Sequence, residues 1–139
     1  MTAHPSVPAP DHLTDRLRSA RNAWMCTSRP NGSPHLTPVW FAHVRDRWWV
    51  STGPGTVKAR NLAADPRVSL ALEDGDAPVV AEGTATTHTD GFPADVVAAF
   101  RDRYDWDIED VVEDSGRPHV LLEIAVRRWL MAQSAPEPT

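Results

Sequence analysis

The sequence predicts a mainly β domain with flanking helices, closing into a small antiparallel barrel of six or seven strands. Three observations carry this. Short runs rich in apolar and β-branched residues recur between turn signals. The pair Asn31-Gly32 between two such runs marks a hairpin. Only two or three segments have helical spacing. A chain of 139 residues, 41% hydrophobic and 24% charged, suits one domain with a core that needs no disulfide. The formal net charge of -5 argues against a sequence-independent nucleic-acid binder, which needs a basic surface.

Residues 1–10 carry three prolines and read as a disordered leader; 11–132 read as a single domain and 133–139 as a flexible tail. Leu13, Leu17 and Ala20 give 11–23 a helical face. Residues 23–29 are strand-like, and 34–44 form the returning strand. Pro38 places that strand at an edge or gives it a bulge, because proline cannot donate to a ladder. A turn at 45–47 leads to a strand at 48–52, a helix at 56–64 and a strand at 67–73. The next strand, 78–89, contains Gly83, which marks a bulge or bend. Residues 89–104 read as a helix with Val96, Val97, Phe100 and Tyr104 on one face. The acidic run 105–114 reads as a solvated loop or short helix, and 119–132 as one long strand or two broken at Arg127 and Arg128.

No apolar run reaches the roughly 18–20 residues of a membrane span, and no secretory signal opens the chain. A cytoplasmic protein without a membrane span is the expectation. The lone Cys26 cannot form an internal disulfide and reads as a small buried hydrophobe. Six tryptophans are expected in the core and a subunit interface; the competing reading has one or two facing a flat ligand ring. The six histidines lack metal-ligand spacing, so no metal site is expected. Nucleophile-elbow, Walker and dinucleotide-binding motifs are absent as well.

One stretch stands out. Ser51, Thr52, Gly53 and Gly55 precede a helix whose first turn carries Lys58, where a cation is disfavoured by the helix dipole. Thr56 can cap the helix, leaving first-turn N–H groups for an anion. Lys58 and Asn61 fall on one flank, with Ala59, Leu62 and Ala63 as the buried stripe beside them. A phosphate at the helix start would meet Lys58, Asn61 and the hydroxyls of Ser51 and Thr52; the competing reading is a solvated lysine on an ordinary helix.

The segments 27–41, 50–73 and 79–86, including the run Lys58-Ala-Arg-Asn-Leu62, resemble the split β-barrel proteins related to pyridoxamine 5'-phosphate oxidase. Within them the chain is most similar to the flavin/deazaflavin-dependent oxidoreductases of actinobacteria. The matching segments span about half the chain, in order and spacing. The resemblance implies a split barrel and a homodimer with cofactor sites at the subunit interface. It implies a cofactor phosphate on Ser51, Thr52, Lys58 and Asn61, and a tricyclic ring along Thr37, Pro38, Val39, Trp40 and Phe41. The expected cofactor is coenzyme F-420, a phosphate-bearing deazaflavin, or FMN, which passes a hydride to a small organic acceptor. No catalytic residue is named; a water or a pocket side chain such as His35 would supply a proton. Arg16, Arg18, Arg21 and Arg29 could meet the longer acidic tail of F-420; the competing and preferred reading is a solvated helix face. The alternative is a non-enzymatic protein that sequesters a flavin, a deazaflavin or haem. Pyridoxamine 5'-phosphate oxidation ranks last, because Arg127 and Arg128 are the only basic cluster near the C-terminus.

Overall fold

The computed structural model describes residues 5–134. Seven strands form one antiparallel sheet: β1 (Ala23–Ser28), β2 (Pro34–Val39), β3 (Ala42–Val44), β4 (Arg47–Thr52), β5 (Arg67–Leu72), β6 (Val79–His88) and β7 (Val120–Ala132). Their order is β2-β1-β5-β6-β7-β4-β3. Helices α1 (Thr14–Ser19), α2 (Val57–Ala64) and α3 (Ala94–Tyr104) flank the sheet, and 3-10 turns occupy Asp11–Leu13 and Ile108–Asp110. No helix among the described residues is long and apolar enough to cross a membrane.

The two edge strands, β2 and β3, are consecutive in the chain and separated only by Trp40 and Phe41. The sheet therefore curls until its edges adjoin, yet β2 and β3 do not pair, and the barrel is split there. This divides the predicted strand 34–44 in two. Backbone groups freed at the split need other partners, and α3 supplies them. The Phe41 N–H donates to the Tyr104 hydroxyl at 3.0 Å, and Arg103 Nη1 donates to the carbonyls of Leu17 at 2.8 Å and Phe41 at 3.3 Å. Pro38 lies on the β2 edge opposite Trp24, a position that tolerates a missing donor.

Consecutive strand residues face opposite sides, and β4 is covered on both. Trp48 enters the barrel core with Phe41, Met25, Leu70 and Ile124, while Trp49 packs against Val96, Val97 and Phe100 of α3. Strand β7 is continuous past Arg127 and Arg128, but its register with β6 skips Arg127 and Leu130. The turn between β3 and β4 holds Arg45 and Asp46 at positive φ, the geometry of a tight hairpin.

Two predicted helices are shorter than expected. Residues 89–93 stay outside α3, because Gly91 sits at φ 64° and Pro93 is the N-cap. Residues 11–23 give a 3-10 turn and six residues of α-helix, ending at Ala20 in extended conformation. Of the stretch 1–10, residues 1–4 lie outside the described residues. Ser6 donates to the Asp46 carbonyl at 2.6 Å, and the Val7 N–H donates to the Val126 carbonyl at 2.8 Å. Cys26 lies on the outer face of the sheet and is only half-buried, because its neighbours Met25 and Thr27 take the inward positions.

Candidate functional site

Strand β4 ends at Thr52, and the turn 53–56 carries the chain into α2. The Thr56 side chain caps α2 by accepting from the Ala59 N–H at 3.3 Å, and its hydroxyl lies 3.2 Å from that of Thr52. The N–H groups of Val57 and Lys58 have no partner among the described residues. Lys58 stands beside them, half-buried and without a carboxylate partner among the described residues. Burial lowers its pKa, because desolvation penalises the ammonium form.

The opposite wall comes from the split. Trp40 is 37% exposed and stacks in parallel on Tyr104, with centroids 4.5 Å apart. Trp106 meets it edge-on at 5.5 Å, and His119 meets Trp106 edge-on at 6.0 Å. The β4–β7 register pairs Thr52 with Val120, which brings His119 alongside the end of β4. Its Nδ1 lies 3.0 Å from the Ser51 hydroxyl. Burial lowers the His119 pKa; Glu113 opposes the shift and the Lys58 charge adds to it.

A short hairpin closes the third side. Val112 and Pro118 form a β-bridge, and Gly116 turns the chain at φ 89°. Glu113 accepts from the Gly55 N–H at 3.0 Å and from the Ser115 hydroxyl at 2.7 Å, and pairs with Arg117 at 2.7 Å. The Ser115 hydroxyl, with the Gly55 N–H and Arg117, holds the Glu113 carboxyl below the usual carboxylate range. Together these walls enclose an open cleft of about 430 Å³. It suits a flat ring with an anionic group: an aromatic face on one side, and donors with an unpaired ammonium on the other.

The sequence model of pyridoxamine 5'-phosphate oxidase matches residues 9–133. The chain belongs to this family. Solved structures agree with that assignment. A protein described as an F420 reductase superposes with a TM-score of 0.69 at 21% identity, over 87% of this chain and 98% of the other. A conserved hypothetical protein from Mycobacterium tuberculosis gives 0.72 at 29% identity, over 100% and 96%. The haem storage protein HutZ from Vibrio cholerae gives 0.70 at 15% identity, over 88% and 92%. The first and third are likenesses of fold. No match was found among curated proteins.

Of the nine residues named from the sequence, the cleft gathers Pro38, Val39, Trp40, Ser51, Thr52 and Lys58. The other three point elsewhere. Phe41 is wholly buried in the barrel core. Thr37 sits opposite Met25 on the inward-facing register of β2. Asn61 is 4% exposed and donates to the Thr27 hydroxyl at 3.0 Å, while Ala63, expected in the buried stripe, is exposed. Asn61 is held toward β1 by its bond to Thr27 instead of lying along the Lys58 flank. His35 lies opposite Thr27, outside the cleft lining. Sequence reasoning missed Glu113 and His119, because only the long-range β4–β7 pairing brings them to the turn. Among the described residues no group of metal-ligating side chains assembles.

Proposed function

We propose that the protein is a cytoplasmic oxidoreductase that uses coenzyme F-420 or FMN to transfer a hydride to a small organic acceptor. It would act as a homodimer with the cofactor at the interface. The observation that carries this reading is the half-buried Lys58, lacking a carboxylate partner, beside two unpartnered N–H groups and facing an exposed, stacked Trp40. A phosphate would supply the missing negative charge, and the helix start would supply its donors. In this reading Lys58, Ser51 and Thr52 hold the phosphate, with Asn61 behind them braced on Thr27. Of the segment Thr37 to Phe41, Pro38, Val39 and Trp40 line the ring, while Thr37 on the inward register and Phe41 in the core hold that segment in place. The bound cofactor supplies the hydride chemistry, and the chain positions it and shields one face from water. Similarity to the F420 reductase supports the deazaflavin, and family membership supports FMN equally.

A second reading, binding without turnover, is favoured by one feature. Beside the ring wall, the histidine available as a proton donor is His119, which is held against Ser51. Likeness to a haem storage protein supports the same reading. Titration of the purified protein with FMN and F-420, followed by turnover of the reduced complex with quinone and enone acceptors, tests both. Tight binding with turnover supports the reductase. Tight binding with no acceptor reduced supports the sequestering protein, and no binding of either cofactor refutes the site.

A further inference from the structure

The turn just before the helix start proposed to hold the phosphate is already engaged by an anion of the chain's own. The Glu113 carboxylate takes the Gly55 N–H at 3.0 Å. It also fills the space above both turn glycines: a Cβ at Gly53 would lie 2.6 Å from its Oε2, and a Cβ at Gly55 would lie 2.6 Å from Arg117 Nη2. The glycines thus leave a cradle open, and the Glu113–Arg117 pair sits in it. The pair is carried by a narrow hairpin, whose segment 114–118 is exposed throughout. That hairpin is held by the Val112–Pro118 bridge and a few backbone hydrogen bonds, with no apolar side chain in either buried core cluster. Segments with so few buried contacts open at low free-energy cost.

Resting on the phosphate reading above, we propose that this hairpin is an autoinhibitory strap. Glu113 holds the turn as an internal stand-in for phosphate, and ligand binding exchanges one anion for the other. On exchange the phosphate takes the Gly55 N–H, and Arg117, released from Glu113, becomes a second cation beside Lys58. Two anions cannot share one N–H donor in a part-buried turn without repulsion. The strap therefore lowers affinity for any phosphate ligand and sets a threshold for loading.

The test is calorimetric titration of the full chain with FMN and with F-420. Glu113→Ala is expected to bind on the order of tenfold tighter, the worth of one charge-assisted hydrogen bond no longer in competition. Glu113→Gln keeps an acceptor without the charge and is expected to gain less. Adding Arg117→Ala to Glu113→Ala should remove most of the gain. Unchanged or weaker affinity in Glu113→Ala, with wild type still binding, overturns the strap and leaves the cofactor site standing. If Glu113→Ala fails to fold, the near-isosteric Glu113→Gln decides: any gain supports the strap, and none overturns it. Failure of the wild type and every variant to bind either cofactor refutes the phosphate reading, and the strap falls with it.

Discussion

Lys58 and His43 hold ionisable groups under conditions their chemistry disfavours. The lowered pKa of Lys58 means that folding costs the ammonium part of its hydration, and its place in the first turn of α2 adds an unfavourable dipole. Lys58→Ala should leave stability of the free protein unchanged, or raise it by a few tenths of a kcal/mol. If the ammonium meets a phosphate, the same change weakens cofactor binding about ten- to a hundredfold, from roughly 1.5–3 kcal/mol of charge-assisted bonding. Equal dissociation constants for wild type and variant, with both FMN and F-420, would remove Lys58 from the site. His43 packs edge-on against Trp48 at 5.9 Å, and its Nε2 is buried without a hydrogen-bond partner among the described residues. Burial lowers its pKa from 6.5 to about 4, with Asp46 opposing. The unfolded chain then takes up a proton near pH 6.5 that the folded chain refuses until near pH 4. Stability from neutral His43 is therefore full above about pH 6.5 and declines as pH falls toward 4, by about 3 kcal/mol in all. Urea melts at pH 7, 5.5 and 4.5 should show a shallower acid decline for His43→Leu than for wild type. Parallel declines would mean that the ring is solvated in the folded state.

At the level of elements, the sequence was readable wherever a local rule decides and opaque where the partner is distant. Asn31-Gly32 gave the β1–β2 turn, Pro38 gave an edge strand, and Thr56 gave the cap of α2. The break between β2 and β3 was not readable. Val39, Trp40 and Phe41 are all good strand formers, and the split arises because Tyr104 and Arg103, more than 60 positions away, take the Phe41 backbone. Likewise, the orientation of Asn61 depends on Thr27, and the place of His119 depends on the β4–β7 register. Gly83 interrupts the β6–β7 register as the sequence predicts, and the structure gives the reason. A Cβ there would lie 2.1 Å from the Ala125 carbonyl oxygen, beside the point where β7 skips Arg127. Backbone must part to admit it. Gly83→Ala should cost roughly 2–3 kcal/mol, whereas Gly75→Ala, with nothing within 4 Å, should be close to neutral. Denaturant midpoints of the two variants check this; equal midpoints would show that β6 and β7 can separate freely there.

For the whole molecule, the surface limits how a second copy can attach. Sheets often associate edge to edge, but both edges here resist it. Strand β2 has Pro34 and Pro38, which lack donors, and β3 is only three residues long. The outer face of the sheet offers more. One cross-strand row joins Pro38, Trp24, Ala71, Val80 and Met131, and the next joins Leu36, Cys26, Ser69, Glu82 and Arg128. Within these rows Trp24 is 40% exposed, Leu36 62% and Met131 44%, while nearby tryptophans 48 and 49 are wholly covered. An apolar stripe across five strands, bordered by the Glu82–Arg128 pair, has the anatomy of an interface with a polar rim. The proposed homodimer would therefore pack face to face through β2, β1, β5, β6 and β7, beside the cleft to which Pro38 also belongs. Light scattering at micromolar concentration should give twice the chain mass. Trp24→Glu should give the monomer mass with little loss of stability, because the side chain is exposed in the single chain and a charge there is costly only against a partner. The same variant should bind cofactor more weakly if the second copy completes the site. A wild-type monomer that still binds cofactor would refute the dimer, and a Trp24→Glu dimer would move the interface to another face.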